Sequence, residues 1–314
     1  MAIKQHTSKG ISQVLQFETA SLMNISFISD IAEFEVFDPA LNLDFSIKID
    51  NQLKYIDSIE PDTILKVKQM RTTRNIIDIS KIALNIIKKT KYFIEKAFPD
   101  DSLILNEFGF YDLSNARKSQ IKLMMFLKNF AKTTVNYKDK LIAKGLTQEF
   151  IDEIEKITAD FEQANINQDQ AKKKRYLTTG LRVKAYNDLW KLISNVARAG
   201  KLIYENNPDK LRDYILDRSP KKKPAKVAEK TVFQGFVSNA VTNEIIEDAI
   251  IEIDGTDYKT ITDNNGEFII ENIKPDTYNI KIKAFGYEEY HQANIVLALG
   301  NQSQKFNFRM QKPK

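Results

Sequence analysis

The amino-acid sequence predicts an α+β multidomain protein in which an N-terminal antiparallel helical bundle precedes a C-terminal β-sandwich. Apolar residues recur at helical spacing through most of the first two thirds of the chain. Glycine and proline number only 10 and 8 in 314 residues, a scarcity that favours long helices. Beyond residue 231 the apolar period changes to two, and short strand-like runs alternate with polar turns, which is typical of a sandwich or barrel.

The composition shifts along the chain predict four segments. They are an N-terminal arm at residues 1–57, the helical bundle at 58–216, a linker at 217–231 and the β-sandwich at 232–314. A chain of this length has room for two or three domains.

The arm contains signals for both helix and strand. LNLDFSIKI, residues 41–49, alternates apolar and polar residues, and Phe34 and Val36 alternate likewise before the turn pair Asp38-Pro39. A spacing of three, which suits a helix instead, relates Leu22, Ile25, Ile28 and Ile31. We therefore expect a helix or irregular arm followed by a β-hairpin.

From Pro61 onwards the helical pattern is clear. Pro61 suits the first turn of a helix, and an apolar stripe continues to Phe98-Pro99, where proline ends it. A second helix is predicted from about Ser114 to Lys144 and is closed by Gly145. Its predicted apolar positions are Ile121, Met124, Met125, Leu127, Phe130 and Leu141.

Two further long helices complete the predicted bundle. Thr147 caps a third helix whose apolar stripe ends near Phe161, and a fourth runs from about Thr178 to Glu205. Asn207-Pro208 begins a short fifth helix that ends near Leu216. Four long helices with short connections are typical of an antiparallel bundle.

The linker and the sandwich carry opposite charge. Residues 217–231 hold six basic residues against Asp217 and Glu229, a net charge of +4. Residues 232–314 hold 8 basic and 12 acidic residues, a net charge of −4. Two prolines and five lysines leave RSPKKKPAKVAEK little apolar surface to bury, so an extended or mobile tether is expected.

Three ordered motifs mark the last quarter of the chain. QGFVSNAVTNEIIEDAIIEIDGT carries an early Gly-x-Val, TITDNNGEF carries a Thr-Asp-x-x-Gly-x-Phe hairpin, and NIKPDTYNIKIKAFGY ends on Gly-Tyr. Asp263 can cap the hairpin turn, and Gly266 supplies a left-handed position. Phe268, Ile270 and Ile273 are predicted to face Tyr278, Ile280 and Ile282 across a core.

In these motifs the segment from about Thr231 to Met310 resembles the carboxypeptidase regulatory-like domain, a small prealbumin-like β-sandwich. The resemblance implies a non-catalytic accessory module. The zinc carboxypeptidase catalytic unit needs a His-x-x-Glu pair and a later histidine, whereas this chain holds only His6 and His291. The helical part is similar to uncharacterised Bacteroidetes helical-bundle proteins in NEFGFYDLSNARKSQ and in the run from TTGLRVKAYNDLWKL to GKLIYENNPDK.

Several polar groups were weighed as sites. Asp254, Asp257 and Asp263 could supply oxygen ligands to calcium, but turn capping explains them as well. The basic runs at 172–177 and 220–226 lack interleaved aromatic residues, so solvated helix ends and tether explain them better than nucleic-acid binding.

Two further groups offer a pocket or a sugar platform. A polar cluster near the second helix could line a pocket or satisfy a loop; it comprises Asn106, Glu107, Tyr111, Asp112, Asn115 and Arg117. Trp190 and Tyr186 share a helix face and suit a core better than a sugar platform. The sequence predicts no catalytic, cofactor-binding or metal site, and no cofactor.

The sequence therefore predicts a structural or interaction protein and not an enzyme. It would bind protein partners or copies of itself, with a filament, an injection apparatus or a virion as the expected setting. Without a secretion signal or a membrane-spanning run, a cytoplasmic location or a signal-peptide-independent assembly is expected. The alternative is a surface protein that binds carbohydrate or peptide.

Overall fold

The computed structural model describes residues 12–216, 231–298 and 305–313. Within these residues, helices occupy the chain as far as Leu211, and β-strands follow from Thr231 onwards. The predicted order, a helical region followed by a β-sandwich, is confirmed. No helix in the described residues combines the length and apolar character needed to cross a bilayer.

The described helices are α1 (Gln13–Ser29), α2 (Ile31–Phe37), α3 (Leu43–Ser58), α4 (Asp62–Ala97), α5 (Ser102–Glu107), α6 (Leu113–Ala116), α7 (Gln120–Asn136), α8 (Lys138–Ile142), α9 (Gln148–Ile203) and α10 (Pro208–Leu211). The described strands are β1 (Thr231–Asn239), β2 (Ile250–Ile253), β3 (Lys259–Ile261), β4 (Glu267–Ile273), β5 (Asp276–Lys283), β6 (Tyr290–Leu297) and β7 (Lys305–Met310). Short 3-10 turns at Phe110–Asp112 and Arg212–Tyr214 follow α5 and α10.

The contacts of the described residues divide them into two compact units. The first unit contains residues 12–65 and 173–216, and the second contains residues 66–172 with the strands that follow residue 230. This grouping differs from the predicted domain boundaries, because α4 and α9 each contribute residues to both units. Apart from Thr231, which begins β1, the predicted linker lies outside the described residues.

The predicted β-hairpin in the arm is wrong, because residues 31–37 and 43–58 are helical. The Asn42 side chain accepts a hydrogen bond from the Phe45 backbone N–H at 3.2 Å and so caps the first turn of α3. Ile49, Leu53 and Ile56 are then buried at helical spacing. The alternation at 41–49 was too short to distinguish a period of two from one of 3.6.

Helix α4 confirms the helix predicted after Pro61, but the later helices differ from the prediction. The predicted second helix is divided into α6, α7 and α8, and Ile121 and Met125 are exposed although they were assigned to its apolar face. The predicted third and fourth helices are one helix of 56 residues, α9. Between Phe161 and Thr178 the chain has no glycine or proline and many straight-chain residues, so nothing interrupts the helix.

The first unit packs α1, α2, α3 and the second half of α9 around an aromatic and aliphatic core. Phe27, Phe34 and Tyr214 are fully buried in it, and Trp190 is 7% exposed. The Phe27 and Phe34 rings meet edge to face with centroids 4.9 Å apart. Gly200 on α9 leaves room for Tyr214, because a Cβ there would lie 2.3 Å from the tyrosine Cγ.

In the second unit, α4, α7 and the first half of α9 enclose a separate core that contains Phe108, Phe130 and Phe161. The β-sandwich of this unit has a three-stranded sheet of order β4-β1-β7 and a four-stranded sheet of order β3-β2-β5-β6. Strands β1 and β7 are parallel, and the other pairs are antiparallel. Gly235 permits the close approach of β7, because a Cβ there would lie 1.8 Å from the Phe306 carbonyl oxygen.

The predicted core of the sandwich is confirmed. Phe268, Ile270, Ile273, Ile280 and Ile282 are buried in it, and Tyr278 packs against them from a half-buried position. The predicted turn is confirmed as well, since the Asp263 carboxylate accepts hydrogen bonds from the backbone N–H groups of Asn265 and Glu267, each at 2.9 Å. Gly266 has the left-handed backbone that this turn requires, with φ of 71°.

Candidate interaction surfaces

Asp254, Asp257 and Asp263, the possible calcium ligands, lie in or beside turns of the sandwich. Asp263 caps its own turn, and the backbone N–H of Asp254 donates to the Asn279 carbonyl at 2.9 Å. In the described part of the chain, no group of three or more His, Cys, Asp or Glu residues is placed to hold a metal ion. The structure therefore does not bring these carboxylates together as a cation site.

The basic run at 172–177 is used within the fold. Lys172 forms an ion pair with Asp248, Lys174 pairs with Glu60 at 3.1 Å, and Arg175 binds the Asp62 carboxylate through two nitrogens at 3.0 and 3.1 Å. These cations are consequently engaged by carboxylates of their own units. The run at 220–226 lies outside the described residues.

The polar cluster at residues 106–117 mainly fastens loops to α7. Asn129 donates to the Glu107 backbone carbonyl at 2.9 Å, and the Tyr137 hydroxyl donates to the Glu107 carboxylate at 2.8 Å. That bond raises the pKa of Tyr137. Asn115 donates to Asp112 at 3.0 Å. The bonds to Glu107 and Asp112 thus satisfy local backbone and side-chain groups, whereas the buried Nε of Arg117 has no hydrogen-bond partner within the described residues.

Tyr186 and Trp190 lie in the core of the first unit, with 9% and 7% of their surfaces exposed. Neither ring is available as a sugar platform. His291 is exposed and lies 2.9 Å from the Glu289 carboxylate, at the start of the edge strand β6.

The sandwich is attached to the helices of the second unit by contacts that the sequence did not predict. Asp248, which is 7% exposed, accepts a hydrogen bond from Gln69 on α4 at 2.7 Å and pairs with Lys172 on α9. Opposite charges near Lys172, chiefly that of Asp248, raise its pKa although burial opposes this. Arg74 on α4 pairs with Glu252 on β2.

Apolar contacts accompany this polar attachment. Met70 of α4 is buried against Ile250 and Ile261 of the four-stranded sheet. The Phe161 ring lies 6.1 Å from the Phe285 ring, measured between centroids. The sandwich is therefore packed against α4 and α9 and is part of the same compact unit.

A groove on the first unit is bounded by α1 and α3. Its cavity volume is about 510 Å³. Its apolar walls include Ile25, Ile28, Leu43 and Ile47, which are 66%, 46%, 54% and 48% exposed. Four large aliphatic side chains left open to water in one groove indicate an interaction surface.

The sequence of α1 explains why this surface stays open. Its inward side buries Ala20, Met23 and Phe27, while its outward side carries Val14 and Ile25, which are 68% and 66% exposed. A helix that is apolar on both sides is normally covered on both sides. The described core therefore covers only the inward side of α1, and Ile25 and Ile28 of the period-three pattern stay exposed.

One buried polar atom lies in the same groove. Asn24 is 6% exposed, and its amide nitrogen donates to the Ser46 carbonyl at 3.4 Å. Its Oδ1 has no hydrogen-bond partner within the described residues. A buried acceptor without a partner costs roughly 1–3 kcal/mol.

A second exposed apolar stripe lies on α7 in the other unit. Ile121 and Met125 are 64% and 65% exposed and stand one turn apart on the helix. Lys128 and Lys132 continue the stripe at helical spacing, and both are exposed. Lys128 pairs with Glu162 at 2.6 Å.

A buried polar cluster stabilises the first unit near α2. The Asp30 carboxylate accepts hydrogen bonds from the Lys210 ammonium and the Tyr214 hydroxyl, each at 2.8 Å. Burial raises the pKa of Asp30, but the bonds from Lys210 and Tyr214 outweigh burial and lower it overall. Burial and the neighbouring Asp30 raise the pKa of Tyr204 to about 12. This cluster holds α10 and the turn after it against α1 and α2.

Comparisons with known proteins bear on the sandwich. The sequence profile of the carboxypeptidase regulatory-like domain family matches residues 232–311. No curated protein sequence matches the chain. The resemblance of the helical part to Bacteroidetes proteins stays a prediction.

Solved structures similar to the chain include an N-terminal interface mutant of a type II Cohesin-X-Dockerin complex from Acetivibrio cellulolyticus, at 21% identity and a TM-score of 0.23. A protein named as a candidate carbohydrate binding protein from Bacteroides uniformis matches at 18% identity and a TM-score of 0.23. Each match covers 26% of this chain, and they span 58% and 41% of the chains they match. Neither likeness carries an argument about this protein as a whole.

The family match, residues 232–311, coincides with the strands of the sandwich, which begin at Thr231 and end at Met310. The C-terminal segment, residues 232–311, is a carboxypeptidase regulatory-like domain.

Proposed function

We propose that the protein is a non-catalytic component of a larger assembly and that it binds another protein chain through the groove between α1 and α3. A filament, an injection apparatus or a virion would be a setting of this kind. The observation that carries the proposal is the groove itself, which exposed Ile25 and Ile47 line together with Asn24, whose buried Oδ1 has no partner among the described residues. Aliphatic walls around a few polar groups are typical of helix-in-groove recognition.

The carboxypeptidase regulatory-like domain has a supporting role in this proposal. Asp248 and Met70 attach it to the helices, so it stiffens the second unit and presents its outer strands at a fixed position within that unit. The alternative of a carbohydrate-binding surface protein is less favoured, because the only tryptophan of the chain, Trp190, is buried in the first unit.

The proposal is tested by purifying the tagged protein from the organism that encodes it, together with an Ile25→Asp/Ile47→Asp variant. The wild type should retain one or more protein partners under gentle conditions, and the variant should lose them because two carboxylates cannot enter an apolar contact. Ile245→Asp, which changes a 56% exposed isoleucine in the sandwich, is the matched control and should retain them.

Circular dichroism must show that the double variant is folded. If folded wild type, double variant and control retain the same partners in the same amounts, the groove is not the binding surface. Turnover of a substrate by the wild type, abolished by a substitution in a described cleft, would contradict the non-catalytic part of the proposal.

A further inference from the structure

The groove between α1 and α3 lies in an acidic part of the chain. Residues 12–59 contain eight acidic residues against Lys48 and Lys54, a net charge of −6. Asp30 is engaged inside the fold, but the exposed or half-exposed acids include Glu18, Asp44 and Asp57. The chain as a whole carries +5, so this acidity is local. A partner surface should accordingly be basic as well as apolar.

The stripe on α7 has the complementary properties. Residues 117–144 contain eight basic residues against Asp139, a net charge of +7. Ile121 and Met125 provide exposed apolar contacts at one end of the stripe, and Lys132 is exposed at the other. This is the chemistry that the groove requires of an occupant, and it is present on the same polypeptide.

The order of the groups along the two helices also agrees. On α3, the apolar Leu43 and Ile47 precede Asp50, Lys54 and Asp57 along one face, and Lys54 pairs with Asp50 at 2.6 Å. On α7, the apolar pair precedes Lys132, which lies about 16 Å beyond Ile121 at about 1.5 Å per residue. Asp57 lies about 15 Å beyond Ile47 by the same rise. A parallel alignment of α7 with α3 that sets Ile121 beside Ile47 therefore brings apolar groups together and places Lys132 near the level of Asp57.

An isologous contact, in which the grooves of two copies face each other, would bring apolar groups together without opposite charge. It would bring together two surfaces that each derive from a segment with a net charge of −6. Like charges facing each other across an interface oppose binding. A contact between two different surfaces is heterologous, and it leaves one groove and one α7 stripe open at the ends for further copies.

We propose that the groove between α1 and α3 binds the α7 stripe, residues 121–132, of a second copy of this chain, so that copies associate head to tail. This inference rests on the proposed function, and it names the partner that the groove binds. Closure of the series gives a ring, and a series that does not close gives a filament.

Cross-linking tests which surfaces meet. The chain has no cysteine, so single-cysteine variants report on one position each. Ile25→Cys protein mixed with Met125→Cys protein and a short bis-maleimide should give a covalent dimer that contains both variants. Ile245→Cys mixed with Met125→Cys is the matched control and should give far less. Equal yields in the two mixtures, or linkage mainly between two Ile25→Cys chains, would overturn the head-to-tail arrangement.

Complementation tests the heterologous geometry. Ile25→Asp/Ile47→Asp damages only the groove, and Met125→Asp/Lys132→Glu damages only the stripe, so each variant alone should be monomeric by native mass measurement. Mixed together, they should form a dimer that stops at two chains, because one intact groove meets one intact stripe. Failure of the mixture to form this dimer while the wild type forms larger species would overturn the proposal.

Charge reversal tests the electrostatic part. Lys132→Glu should weaken association several-fold, because it sets a carboxylate against Asp57 at the end of the stripe. Combining it with Asp57→Lys should restore part of the loss. Association of the wild type should also fall as the salt is raised from about 0.1 M to about 1 M.

The outcomes separate this inference from the proposed function. A wild type that stays monomeric at every concentration and gives no cross-link overturns self-association. If that monomer still loses a different captured protein when Ile25 and Ile47 are changed, the groove remains a binding surface for another chain.

Discussion

Replacing Asp30 with alanine should destabilise the first unit far more than replacing a surface aspartate. Asp30 is 8% exposed, and its two oxygens accept hydrogen bonds from Lys210 and from Tyr214, which is fully buried. The Tyr214 ring also packs against Phe34, with 5.1 Å between centroids. Without the carboxylate, a buried hydroxyl loses its acceptor.

The magnitude follows from the exposure of the two donors. A hydrogen bond to a charged group contributes roughly 1.5–3 kcal/mol, and this range applies to the buried bond from Tyr214. The Lys210 side chain is 39% exposed, so water screens its ion pair and it contributes about 1 kcal/mol or less. The free energy of unfolding should therefore fall by about 3 kcal/mol in Asp30→Ala, and by about 1.5–3 kcal/mol in Tyr214→Phe.

Urea unfolding followed by tryptophan fluorescence is the appropriate assay, because the single tryptophan, Trp190, lies in the core of the first unit. Asp50→Ala is the matched control. Its ion pair with Lys54 is 2.6 Å long but joins side chains that are 50% and 73% exposed, so the loss should stay below about 1 kcal/mol. An Asp30→Ala variant no less stable than the control would refute the reasoning, as would strict additivity of Asp30→Ala and Tyr214→Phe.

Three other outcomes are expected. Because the pKa of Asp30 lies below its ordinary value of 3.8, its carboxylate stabilises the fold above that pH, and this contribution is lost as the pH falls through the lowered pKa. The difference in unfolding free energy between wild type and Asp30→Asn should therefore shrink on acidification below about pH 4. A constant difference in acid titrations of unfolding would contradict this. Gly200→Ala should destabilise the first unit despite the better helix propensity of alanine, since its Cβ would lie 2.3 Å from the Tyr214 Cγ; a raised melting temperature would show that Tyr214 can move away. Asp248→Asn should speed amide hydrogen exchange in β2, because Lys172 loses its nearer counter-charge and keeps only Glu247 at 4.0 Å, while the bond from Gln69 can persist. Exchange unchanged from wild type would mean that the ion pair with Asp248 does not hold the sandwich to the helices.

The candidate interaction surfaces could be predicted from the sequence only in part. The spacing of Leu22, Ile25 and Ile28 was visible, and so were Ile121 and Met125 as apolar positions. Periodicity assigns such residues to a buried stripe, because it cannot distinguish a core from a surface awaiting a partner. The signal that could have identified the groove is the pairing of apolar excess in α1 with the local net charge of −6.

The attachment of the sandwich to the helices left no comparable pattern. Asp248 appears in the sequence as an ordinary turn aspartate, and Lys172 as the first residue of a basic run. Their pairing joins residues 76 positions apart, and Gln69 is 179 positions from Asp248. Contacts of that separation depend on how completed elements pack, which local propensity does not encode.

By itself the sequence determined what short-range chemistry controls: the helix from Asp62 to Ala97, the turn capped by Asp263, the sandwich core and the recognisable C-terminal domain. Each depends on residues within a few turns of one another or on a motif of fixed order. Only the tertiary structure decided which apolar residues are covered, and it left Ile25 and Met125 exposed. Burial is a property of the folded chain, because a side chain is covered only by neighbours that arrive from elsewhere in the sequence.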